Sequence, residues 1–194
     1  GPLSVKSLVD LYQLVGSGKS SGSEVYDHVY PNTKRKIKRK RFYGKNISLP
    51  ISGLLPDMDV SFQKNSLLVP GDNIIGITIP GKGITIYHAK DEGLHKHENN
   101  PERWLRLQWK KEIDVTFTAR IMLSIINEVG SLGVISAAIG DYGGNITNLN
   151  LTEKDTDFYN LRIDIDVDDK GHIDNIVKSL KFLPEVNSVE RLIH

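Results

Sequence analysis

The chain has 194 residues, 39% hydrophobic and 25% charged, with a formal net charge of +1 and no cysteine. That length supports one or two domains with buried cores, and the missing cysteine excludes disulfides, thiolate-bound zinc and thiol nucleophiles. No apolar run approaches the ~20 residues that span a bilayer and no signal-peptide pattern is present, so the expected location is the cytoplasm, with no membrane partner. Gly1 and Pro2 read as a protease-cleavage scar, and with no initiator Met the sequence is expected to be a piece of a longer product.

Residues 1–33 form a predicted helical segment. Leu8, Leu11 and Val15 recur at helical spacing and Gly16 stops the first helix; Ser23 caps a second over Val25, Tyr26 and Val29, with Pro31 just past its end. The run that follows is strongly basic: Lys34, Arg35, Lys36, Lys38, Arg39, Lys40 and Arg41. These seven of the 25 basic residues leave 18 against 24 acidic, so the rest of the chain carries −6. Such a run docks on phosphates, as in RNA contact, or serves as a solvated linker over 34–46; its residues fit both. No base-reading motif stands beside it.

A second unit is expected over 47–112. Pro70, Gly71 and Asp72 mark a turn, Ile74 to Ile79 a strand, Pro80 to Gly83 a tight turn and Ile84 to Tyr87 the returning strand. A helix-like stretch begins at Leu94, and Trp104, Leu105, Leu107 and Trp109 alternate as a strand. The two tryptophans read as packing anchors, because large aromatics mostly supply buried area.

The last unit, 113–194, is organised around NEVGSLGVISAAIGDYGGNITNL, Asn127 to Leu149. An apolar strand passes through Gly130 into a short helix that ends at Gly143 and Gly144. An alternating strand pair, a helix carrying Ile173, Ile176, Val177 and Leu180, and a closing strand complete the order β-α-β-β-α-β. This ferredoxin-like unit resembles the ACT domain, a regulatory module that binds amino acids. The whole is α+β: a βαββαβ ACT domain preceded by a small α+β domain and a helical segment.

The resemblance extends upstream. VPGDNIIG, GKGITIYHAKD, PERWL and the ACT module, in that order, are similar to the C-terminal regulatory half of the long Rel/Spo homologues, the bifunctional synthetase/hydrolases of guanosine penta- and tetraphosphate. The resemblance implies a zinc-finger-like domain over 47–112, and Pro70, Gly71, Asp72, Gly81, Gly83 and His88 match it. Asn65, Ser66 and Glu92 stand where it has cysteines, so no cofactor is expected and the zinc site reads as lost. His88, His95 and His97, with Asp91 or Glu92, either make a weak site or are ordinary loop residues.

For ligand binding, the loop Asn127, Glu128, Val129, Gly130, Ser131 and Leu132 offers N–H groups at a helix start, suited to a carboxylate. Asn145 and Ile146 follow the glycine turn. The resemblance implies that the two asparagine positions, the loop glycine and the apolar residue after it bind an amino acid across a homodimer interface. Ile125, Val129, Leu132 and Ile146 suit a branched-chain side chain such as valine or isoleucine; alternatively the apolar residues are core and the glycines only cap turns. Asp164, Asp166, Asp168 and Asp169 read as the solvated face of a strand running into a helix cap. No catalytic constellation is present, and the resemblance places the synthetase and hydrolase sites in a catalytic half that would be this region's partner. The expected function is regulatory, by sensing an amino acid; the alternative is a ribosome- or RNA-docking module built on the basic run and the middle domain.

Overall fold

Alternation decides the central strand. From Phe117 to Ile125 every second residue is apolar and buried (Phe117, Ala119, Ile121, Leu123, Ile125), while the residues between them are half-exposed. Period 2 puts these side chains on one face. The computed structural model describes residues 40–42, 49–54, 58–154 and 157–193. The strands are β1 Lys40–Arg41, β2 Ile51–Ser52, β3 Val60–Phe62, β4 Ile74–Ile79, β5 Gly83–His88, β6 Trp104–Arg106, β7 Gln108–Trp109, β8 Val115–Ile126, β9 Asn145–Lys154, β10 Phe158–Val167 and β11 Val186–Leu192. The helices are α1 Ser131–Asp141 and α2 Lys170–Lys181.

From β8 onward the order is β-α-β-β-α-β, as expected. The strands lie β9, β10, β8, β11, all antiparallel neighbours. One face carries both helices. Ile135 and Ile139 of α1 and Ile173, Ile176 and Leu180 of α2 are buried against Ile121, Ile163 and Ile165 in one core. Asp169 caps α2 by accepting from the His172 N–H at 2.8 Å, so the expected cap is present. The close turn ahead of β9 requires glycine: a Cβ on Gly144 would lie 2.8 Å from Ile176 Cδ1 and 2.9 Å from Ile139 Cγ2 and Ile165 Cγ2.

The middle unit is β-rich rather than α+β. Its sheet runs β3, β5, β4, β6, with β3 parallel to β5, and β2 pairs with β7 in a separate two-stranded sheet. The helix-like stretch at Leu94 consists of two 3-10 turns, Glu92–His97 and Pro101–Arg103. Nor do Trp104 and Trp109 share a strand. The chain breaks at Leu107, which is buried and packs over Gly76 so closely that a Cβ there would meet its Cδ1 at 2.7 Å. Trp104 therefore packs with Ile77, Tyr87 and Leu94, and Trp109 with Phe62 and Phe117.

The basic run is not linker throughout. Its last two residues, Lys40 and Arg41, are β1, paired in parallel with Val115 and Thr116 of β8. Phe42 follows them into the core, stacked on Phe117 at 5.1 Å. The predicted N-terminal helices and the other five basic residues lie outside the described residues.

Candidate functional site

The loop leaving β8 is held at both ends and open in its middle. The Asn127 N–H donates to the Asp157 carbonyl (2.9 Å) and the Ser131 N–H to the Glu128 carbonyl (3.3 Å). Gly130 is the N-cap of α1 at φ +93°, a left-handed conformation, and no side chain caps the helix. A Cβ at Gly130 would meet nothing within 4 Å. The carbonyl of Gly130 takes the Val134 N–H; the N–H groups of Leu132 and Gly133 have no intrahelical acceptor. That geometry suits an anion such as a carboxylate.

The expected residues divide. Ser131 is buried, Glu128 and Leu132 are exposed, and Val129 stands fully in solvent at 108% of its reference exposure. Ile146 packs against the core instead. Asn145 is exposed, its amide 3.5 Å from Asp166 Oδ2. Its register partner is Asp166, which pairs with Thr118, whereas Asn127 lies nine residues further along β8, about 30 Å at ~3.3 Å per residue. A single chain does not bring the two asparagines together.

The acidic residues are not a uniformly solvated face. Asp164 is buried and accepts from Arg120 Nε at 2.6 Å and Nη2 at 3.0 Å, and Arg41 holds Asp166 at 2.6 Å. These ion pairs cross between strands, so the local alternation of acids in β10 gave no sign of them. The Arg120 hydrogen bonds hold the Asp164 carboxyl below the usual carboxylate range; burial opposes them and Asn148 adds to them. A depressed folded pKa means this stabilisation is complete above the unfolded value of about 4 and is lost as pH falls through the lower folded value. Urea unfolding across pH 2–5 should therefore show stability falling with acid, with a shallower slope in Asp164→Asn. An unchanged slope in that variant would remove Asp164 from the acid response.

Among the described residues the histidines make no metal centre. His88 is buried, its Nδ1 accepting from the Lys90 N–H at 3.1 Å; His95 pairs with Glu98, and His97 meets the Tyr87 ring edge-on at 5.9 Å. Among the described residues no group of three or more His, Asp or Glu is placed to hold a metal ion. Asn65 occupies the left-handed region at φ 65°, which asparagine tolerates as a turn residue. These residues do not fit a structural zinc, which takes about four thiolate or imidazole ligands.

Comparison with known proteins matches the two folded parts separately. The ACT domain family profile matches residues 114–191, and that of the RelA/SpoT RIS domain matches residues 49–110. The chain is a RIS and ACT regulatory region of the RelA/SpoT family. Among its relatives, GTP pyrophosphokinase rsh of Brucella ovis is 38% identical over 147 residues, 75% of this chain and 20% of that protein. The bifunctional (p)ppGpp synthase/hydrolase SpoT of Escherichia coli strain K12 is 33% identical over 143 residues, 74% of this chain and 20% of that protein. The chain thus spans about a fifth of these curated relatives. A solved ACT domain from the GTP pyrophosphokinase of Chlorobium tepidum aligns over 40% of this chain and 100% of its own, at 24% identity and a TM-score of 0.36. Among the described residues, no helix of this RIS and ACT region is long and apolar enough to cross a membrane.

Proposed function

We propose that this region senses a branched-chain amino acid, valine or isoleucine, and controls the synthetase and hydrolase activities of a RelA/SpoT parent enzyme. The open, uncapped start of α1 at Gly130 carries this reading: it offers backbone N–H groups to a carboxylate, and Asn127 stands three residues ahead of that glycine in the same loop. Gly130 has no Cβ to obstruct the approach.

The second half of the site comes from a second chain. β9 pairs only with β10 among the described residues, and Leu149 and Leu151 on it are exposed. The outer side of α1 (Leu132, Gly133, Val134, Ala137, Gly140) is exposed and bears no charge before Asp141. An uncharged face beside a free strand edge favours self-association. Two-fold antiparallel pairing of β9 with its copy sets Asn145 of one chain beside the Lys154 end of the other, the same end of the sheet as that chain's Asn127. The separation of the two asparagines within one chain is then what a shared site requires. The RNA-docking alternative loses Arg41, whose guanidinium is held by Asp166.

Titration calorimetry with the twenty amino acids tests the proposal. Valine or isoleucine should give heat, and Asn127→Ala should weaken binding by about 1–3 kcal/mol. Gly130→Val should abolish it while leaving most of the fold, since forcing a β-branched residue to φ +93° costs roughly 1–2 kcal/mol. Light scattering on Leu151→Glu should report a monomer that no longer binds. Absence of heat with every branched-chain amino acid at millimolar concentration would sink the reading.

A further inference from the structure

The Pro70-Gly71-Asp72 turn does more than reverse the chain between strands. Val69, just before it, belongs to the RIS segment, yet its side chain is fully buried in the ACT core among the residues of β8, β10 and α2. The Pro70 carbonyl accepts the N–H of Lys170, the first residue of α2, at 2.7 Å. Gly71 stands at φ +95°, with the position of a Cβ only 3.1 Å from Lys170 Cβ. Asp72, with a side chain 1% exposed, receives Arg191 of β11 through both guanidinium ends, at 2.8 and 2.5 Å, and the Val69 N–H at 2.9 Å. Its carbonyl takes the Trp109 indole at 2.9 Å. Leu67 adds a backbone bond to the Ile193 carbonyl.

We propose that this turn is a joint which makes the RIS and ACT domains one cooperative unit, so that neither opens while the other stays folded. A state with RIS displaced would leave a hole where Val69 sat, remove the acceptor from the first N–H of α2, and strip Arg191 of its carboxylate. Each loss falls on the ACT domain although RIS is the part that moved. The half-open state is therefore penalised in both domains, which is the condition for all-or-none behaviour. A change of state in either domain is then a change in both.

The test uses the whole chain and no ligand, so it does not depend on amino-acid binding. Trp104 packs within RIS and Trp109 lies where RIS meets Phe117 of β8, so tryptophan fluorescence follows the opening of RIS and of its contact with ACT; amide exchange of α2, measured by mass spectrometry, follows ACT. In a urea series the two signals of the wild-type chain should share one midpoint and one slope, and two separated transitions would overturn the proposal. In Gly71→Val the fluorescence midpoint should fall, alone or with that of α2; midpoints equal to the wild type's would also overturn it. If that variant does not fold, Arg191→Lys, which keeps the charge but loses the two-pronged contact, should lower both midpoints together, and two unmoved midpoints again refute the joint.

Discussion

Asp72→Ala should be among the most destabilising single substitutions in this chain, lowering stability by about 3–5 kcal/mol, the usual cost of removing one member of a buried ion pair. The Asp72 side chain is 1% exposed and that of Arg191 11%, so the orphaned guanidinium has little water to turn to. Exposed pairs follow a different rule. Lys170 and Asp174, each about half exposed, make an ion pair one helical turn apart, and breaking it should change stability by about 0–1 kcal/mol. The double variant Asp72→Ala with Arg191→Met should recover much of the loss, because no buried charge is then left alone. Urea midpoints of the four chains decide it. A double variant as unstable as the sum of its singles would mean the cost lies in packing and not in charge.

Ile165→Ala is the second large effect expected, about 2–5 kcal/mol as for other fully buried aliphatic truncations. Ile165 is completely buried on β10, and its Cγ2 lies 2.9 Å from where a Gly144 Cβ would stand. In the wild-type chain Gly144→Ala forces three isoleucines apart, an overpacking worth about 1–3 kcal/mol. In the Ile165→Ala background one of those three contacts is gone, so the second substitution should cost less. Thermal unfolding of the two singles and the double reads this coupling directly; strict additivity would show that Gly144 is constrained by Ile139 and Ile176 alone.

What could be read from the sequence is what is set by near neighbours. The stripe Ile173, Ile176, Leu180 gives α2, and the Pro70–Asp72 and Pro80–Gly83 turns bound β4 and β5 as expected. Gly71, Gly81 and Gly83 all take positive φ there, which is why glycine marks these turns so clearly. What was not legible depends on residues far apart. Asp72 and Arg191 are separated by 119 positions, and Arg41 and Asp166 by 125, with no local pattern to pair them. The apolar alternation around Trp104 and Trp109 is real, but Leu107 sits over Gly76 and divides the run between two sheets, a tertiary constraint invisible in the run itself. For the candidate site, the loop and its glycine were readable; the placement of Asn145 at the far end of the sheet follows only from register.

The position of β1 has a mechanical consequence. This strand precedes the RIS segment in the chain and yet pairs with β8, which follows it, so RIS is spliced between two neighbouring strands of the ACT sheet. A pull on the chain ahead of Lys40 is borne in shear by the β1 to β8 seam, by the Phe42 N–H on the Thr116 carbonyl, and by the Arg41 grip on Asp166. That path enters the ACT sheet without running through the RIS strands. β8 carries it without interruption over 12 residues, about 40 Å, from the seam at Val115 to the loop that begins at Asn127. Load entering at Val115 is shared along the way with β10 and β11, which pair with β8, so the seam and the loop proposed above for the amino acid are the two ends of one braced strand.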